Sequence, residues 1–190
     1  MYFIIGLGNP GPEYEKTRHN IGFLVLEHLG NRYHQIFRKG RGPFQYTSFN
    51  FKEQQVYLIK PLTYMNLSGQ AVRSLISFYK IEDYRQMLVI SDDINLPFGT
   101  LRLRPEGSDG GQKGLRSIID NLKTREIPRL RIGIGDNFSD AANYVLSRFN
   151  PQEQKDLPFI LGGAADAVES FMEKGVELTM SRYNKNILEP

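Results

Sequence analysis

The opening of the chain constrains it most. Tyr2 to Gly6 is a short apolar run that reads as a buried strand, and Gly8-Asn9-Pro10-Gly11-Pro12 ends it at once. A helix comes only after that break: Asn20 stands as an N-cap, and Ile21, Leu24, Val25, His28 and Leu29 fall on one helical stripe. The alternation then continues. Phe44 to Phe51 and Val56 to Lys60, parted by the polar Lys52-Glu53-Gln54-Gln55, read as a hairpin, so part of the sheet is antiparallel. A helix after Asn66 carries Leu67, Ala71, Leu75 and Phe78, and Met87 to Ser91 is an apolar strand closed by Asp92-Asp93. Thr100 to Arg104 and Leu130 to Gly135 supply further strands around a helix at Leu115 to Leu122, and the pattern from Ala141 on, above all Phe159 to Lys174, is helical. There is no repeat, low-complexity tract or shift in composition. Residues 1–190 therefore read as one α/β domain, a mixed, partly parallel, twisted sheet flanked by helices.

The absence of cysteine removes any disulfide, thiolate nucleophile or thiolate metal site, and fits a reducing, cytoplasmic setting. Three histidines, His19, His28 and His34, leave little for an all-histidine zinc site. The longest apolar run near the start, Phe23 to Leu26, is far too short for a signal sequence or a membrane span. Net charge is only +3, yet it is uneven: −1 over residues 1–29, +5 over 30–60, −1 over 61–99, +4 over 100–131 and −4 over 132–190. One basic block is Arg32, Arg38, Lys39 and Arg41; the other holds Arg102, Arg104, Lys113, Arg116, Lys123, Arg125, Arg129 and Arg131. Clustered cations suit a polyanion, because binding releases counterions from phosphates; they suit a solvated face equally well.

Gly6-Leu7-Gly8-Asn9-Pro10-Gly11 satisfies the dinucleotide pattern G-x-G-x-x-G directly after a strand, with Glu27 where a ribose-binding acid would stand. That site needs a helix to begin at the glycines, so that its first amides meet the pyrophosphate. Here Pro10, Pro12 and the polar Glu13 to His19 intervene, and Glu27 falls inside the first helix. The nicotinamide assignment is therefore disfavoured.

Open α/β sheets hold their ligands beyond the carboxyl ends of the strands, and three such ends offer polar groups: Asn9 with His19, Asn66, and Asp92. A histidine, a carboxylate and two amides suffice for hydrolysis without a covalent intermediate. The carboxylate fixes the imidazole tautomer, the imidazole takes a proton from water, and an amide donor meets the developing oxyanion. A plainer assignment has His19 flanking a helix and Asp92 in a turn. No serine sits in a G-x-S-x-G elbow.

Several stretches resemble bacterial-type peptidyl-tRNA hydrolases. They are Gly6-Leu7-Gly8-Asn9-Pro10-Gly11, Tyr14 and Thr17-Arg18-His19-Asn20-Ile21-Gly22 at the start. Lys60 to Gly69, Asp92-Asp93-Ile94-Asn95-Leu96-Pro97, Gly107-Ser108-Asp109-Gly110-Gly111 with Gly114-Leu115, and Arg129 to Gly135 follow in the same order. The resemblance implies an esterase, working without metal or cofactor, that cleaves a peptide or N-blocked amino acid from the terminal ribose of tRNA. By position it makes His19 the general base, Asp92 its carboxylate, Asn66 the group that positions water or the substrate carbonyl, and Asn9 the residue that tells blocked from free amines. It also implies that Tyr14 and Tyr64 line the site for the tRNA end, and that Arg104 and Arg131 clamp the 5′ phosphate, as guanidiniums grip phosphate through paired hydrogen bonds. A monomer without an obligate protein partner is the family expectation.

The chain departs from the family pattern in three places. Gln112-Lys113 stands where many members carry His-Asn, Ser91 where histidine is usual, and Asn95 where a second aspartate is common. Lysine donates but does not accept hydrogen bonds, which turns position 113 toward a phosphate or a carbonyl oxygen. A non-catalytic RNA-binding relative, such as the plant splicing factors that resemble this family, is the alternative class; the retained His19 and Asp92 favour the enzyme.

Overall fold

The computed structural model describes residues 1–135 and 139–189. Its strands are β1 (Tyr2–Gly6), β2 (Arg38–Lys39), β3 (Phe44–Phe51), β4 (Gln54–Pro61), β5 (Met87–Asp93), β6 (Leu101–Arg104) and β7 (Arg129–Gly133). Its helices are α1 (Ile21–Arg32), α2 (Ser68–Tyr79), α3 (Lys113–Leu122), α4 (Ala141–Val145) and α5 (Pro151–Tyr183), with short 3-10 turns at Arg18–Asn20, Met65–Leu67 and Tyr84–Gln86. The strands form one sheet in the order β2-β3-β4-β1-β5-β7-β6. The four middle strands are parallel, and the edges are antiparallel through β2/β3, β3/β4 and β6/β7.

Strands covered on both faces need apolar residues on both, which explains why Phe3, Ile4 and Ile5 run without alternation and why every residue of β5 is buried. On one face Ile4, Leu58, Leu88, Ile90, Leu130 and Ile132 pack with α1 and α5. On the other, Phe3, Ile5, Ile59, Met87 and Val89 pack with α2 and α3. The chain leaves β1 through α1 to reach β4 on one side, and leaves β4 through α2 to reach β5 on the other. β1 is thus a switch point, where such sheets open a crevice at their carboxyl ends.

Two glycines set the depth of that crevice. A Cβ on Gly22 would sit 2.6 Å from the Ile90 carbonyl oxygen, and one on Gly6 would strike the Gly22 backbone. Their absence lets the first turn of α1 lie directly on β1 and β5, which brings the preceding 3-10 turn with His19 onto the strand ends. α5 begins in a capping box: the Asn150 side chain accepts from the Gln152 and Glu153 amides, and Glu153 returns a bond to the Asn150 amide.

The structure moves several sequence-based assignments. The hairpin turns on Lys52 and Glu53 alone, both at positive φ (45° and 67°), so β3 ends at Phe51 as read while β4 begins at Gln54, two residues before Val56. In α2 the buried stripe is Ala71, Val72 and Leu75, while Leu67 and Phe78 are exposed. Asn20 precedes α1 but caps nothing; its side chain turns back to bond the Asn9 backbone. The acidic segment Phe159 to Lys174 is core cover, burying Ile160, Ala164, Ala165, Val168, Phe171 and Met172. No helix among the described residues is long and apolar enough to cross a membrane.

Candidate active site

At the carboxyl ends of β1, β4, β5 and β7 lies a cleft of about 520 Å³, and His19, Asp92, Asn9 and Asn66 all line it. Four residues remote in the chain meet because four parallel strands end together. Nδ1 of His19 lies 2.9 Å from each oxygen of Asp92. Asp92 is 2% exposed and His19 8%, so an ionised carboxylate there holds the proton on Nδ1 and leaves the Nε2 lone pair for the cleft. The plainer assignment of Asp92 as a turn residue fails, since it belongs to β5 and pairs with Ile132 of β7.

Gln112 is the second group on that carboxylate and was not among the sequence candidates. Its Oε1 accepts from the Leu115 amide as the N-cap of α3, which orients the side-chain amide. Its Nε2 therefore donates to Asp92 Oδ1 at 3.0 Å and approaches Met65 Sδ at 3.2 Å. An amide donor stabilises the charged form of the carboxylate and fixes its plane against the imidazole. The resemblance marked Gln112 as a departure from the family pattern and its place before a helix marked it as a cap, but neither pointed to Asp92, 20 residues away.

Asn9 is locked into the same frame. Its Oδ1 accepts from the Met65 amide at 2.7 Å, while its backbone N–H and C=O pair with the Asn20 side chain at 2.9 and 3.0 Å. The one free polar group on its side chain is Nδ2. Asn66 is exposed beside it, and so is Tyr64, whose ring meets Tyr14 edge-on at 6.4 Å. Tyr14 touches the ring of Tyr64 but is not part of the cleft wall. Lys113, at the start of α3, lines the cleft and is exposed.

The far wall is α4, through Ala141, Ala142, Val145 and Leu146. Arg18, next to His19 and buried, fastens it there. Its guanidinium lies 4.4 Å over the Tyr144 ring and donates to Ser147 Oγ, the Arg148 carbonyl and Glu153. No local pattern marks Arg18 for this task, because all its partners lie at least 126 residues on.

The second basic block divides by depth. Register sets Arg102 opposite Arg131 and Arg104 opposite Arg129, so all four share one face of the sheet. Arg129 is buried and donates to the carbonyls of Ile127, Gly107, Ser108 and Arg125; burial first, and the Arg131 charge second, hold its pKa below the usual arginine value. It is structural. Arg131 lines the cleft and pairs with Asp93 at 2.6 Å. Arg104 stands outside the cleft wall, half-buried, with its Nη1 on the Leu103 carbonyl. Among the described residues no three His, Cys, Asp or Glu side chains converge as a metal site would need.

Comparisons with known proteins give the family and the overall fold. The family model for peptidyl-tRNA hydrolase matches residues 3–190. A peptidyl-tRNA hydrolase of Chloroflexus aggregans is 52% identical over 186 residues, covering 97% of this chain and 99% of that protein. One from Chlorobaculum parvum is 45% identical over 98% of this chain and all of its own length. The crystal structure of peptidyl-tRNA hydrolase from Acinetobacter baumannii superposes with a TM-score of 0.91 at 32% identity, covering 98% of this chain and 96% of that one.

Proposed function

This chain belongs to the peptidyl-tRNA hydrolase family, so its reaction is hydrolysis of the ester joining a peptide to the terminal ribose of tRNA, and we propose that His19 and Asp92 activate the water. The carrying observation is the buried His19–Asp92 contact opening into one cleft with Asn9 and Asn66. His19 Nε2 takes a proton from water as the oxygen attacks the ester carbonyl. Asp92 stabilises the imidazolium, with Gln112 holding the carboxylate. The Asn66 amide meets the oxyanion, and the imidazolium returns its proton to the ribose oxygen as the C–O bond breaks. General-base help is worth about 10²–10⁴-fold and an oxyanion donor about 10²–10³-fold, enough for an ester with a tolerable leaving group.

Asn9 supplies selectivity for blocked substrates. With Oδ1 held by Met65, its Nδ2 is left to donate to the carbonyl oxygen of an N-acyl group, and it offers nothing to a buried ammonium. Tyr64, touched by Tyr14, flanks the path of the tRNA end. Arg104 and Arg131 fit a clamp on the 5′ phosphate, with Asp93 aiming the Arg131 guanidinium. The enzyme acts in the cytoplasm and needs neither a cofactor nor a protein partner.

The test is hydrolysis of N-acetyl-aminoacyl-tRNA against free aminoacyl-tRNA in the presence of a chelator. The blocked form turns over far faster than the free form, and His19→Ala lowers its kcat by about 10²–10⁴-fold while tRNA affinity stays. Most of the activity surviving in His19→Ala would overturn the mechanism. Tight tRNA binding by the native protein without turnover would mark an RNA-binding relative instead.

A further inference from the structure

Given the reaction assigned above, we propose that Lys113 rejects unblocked aminoacyl-tRNA by charge, as a second selectivity device beside Asn9. Lys113 occupies the first turn of α3, where unpaired amides already make a positive end and a cation is unfavourable. Nothing offsets it: among the described residues Lys113 makes no ion pair. The nearest acid before the helix, Asp109, is engaged by Arg116 at 3.1 Å and by the Gly111 amide. A lysine that neither helps its helix nor meets a carboxylate, yet lines the reaction cleft, points to the ligand.

The other charges in the cleft are spoken for. Asp92 on β5 faces His19 and Gln112, and Asp93 on β5 is paired with Arg131 of β7. Tyr64 adds a neutral phenol. Among the described residues Lys113 is thus the one charged side chain of the cleft that neither pairs with an opposite charge nor bonds another side chain. Lys113 and His19 line the same cleft, so a carbonyl bound beside His19 shares that space with Lys113. The α-ammonium of a free aminoacyl ester is two bonds from that carbonyl carbon; a blocked substrate has a neutral amide there. Two unit charges 6–10 Å apart, in a medium between water and protein, disfavour binding about four- to tenfold. Attraction of Lys113 to tRNA phosphates acts on both substrates alike and cancels from their ratio.

The discriminating experiment replaces the ammonium by a hydroxyl. kcat/KM is measured for an α-hydroxyacyl-tRNA and for the aminoacyl-tRNA with the same side chain, using native protein, Lys113→Gln, Lys113→Arg and Lys113→Glu. The preference for the hydroxy substrate falls about four- to tenfold in Lys113→Gln, falls further in Lys113→Glu and persists in Lys113→Arg. An unchanged preference in the Gln and Glu variants overturns the proposal. Lys113→Glu suits a helix start and keeps the comparison available should Lys113→Gln fold poorly. N-acetyl-aminoacyl-tRNA run alongside separates the two readings: no turnover by native protein sinks the assigned reaction, whereas turnover with an unaltered preference sinks only the role of Lys113.

Discussion

The two helical layers cover the same sheet, yet they differ in charge and in task. α5 carries six acids and three bases and α1 one of each, while α2 and α3 together carry three bases and one acid. The acidic layer has several of its acids engaged: within it Arg32 of α1 bonds Asp166 and Glu169 of α5, and Lys52 of the β3/β4 turn bonds Glu173. The basic layer leaves Lys113 unpaired and stands on the same sheet face as Arg102, Arg104 and Arg131. Charge alone thus favours a polyanion on one side and disfavours it on the other. The groups of the cleft divide accordingly. His19, the base in the proposed reaction, comes from the α1 side, whereas Asn66 and Lys113 line the cleft from the starts of α2 and α3.

That division can be broken most directly at the carboxylate. Asp92→Asn cannot hold the productive imidazole tautomer, so kcat falls by about 10³–10⁴-fold with KM nearly constant in steady-state assays; a loss mainly in KM would erase the division. The structural side is sharpened by Phe171→Ala. Phe171 is 3% exposed and packs edge-on against Tyr2, so its truncation costs about 3–5 kcal/mol in denaturant unfolding, with kcat per folded molecule unchanged. Arg104→Glu on the basic face raises KM about tenfold and flattens the salt dependence of tRNA binding by about one phosphate contact, whereas Glu177→Lys on the acidic layer changes KM less than about twofold. Equal effects from the two would show that charge asymmetry does not orient the tRNA.

The strands and the breaks after them were legible because apolar runs, glycines and prolines act locally on the backbone. The two-residue turn at Lys52-Glu53 was not, since neither residue signals the left-handed backbone it adopts. In α2, periodicity could not tell exposed Leu67 and Phe78 from the buried stripe beside them, because both readings share the same spacing. In the site, His19, Asp92, Asn9 and Asn66 stood out as polar groups after strand ends. Gln112 and Arg18 did not: a glutamine before a helix reads as a cap, and an arginine near a histidine reads as surface charge until its distant partners are seen.

Local chemistry in the chain settled where strands stop, which segments coil into helices and which groups are able to move protons. Who meets whom was left to the sheet. His19 and Asp92 are 73 residues apart and touch only because β1 and β5 lie side by side in parallel, with Gly6 and Gly22 letting α1 down onto them. Strand order carries no periodic signature, since it depends on packing between segments distant in the chain, and that packing put a histidine against an aspartate at the mouth of one cleft.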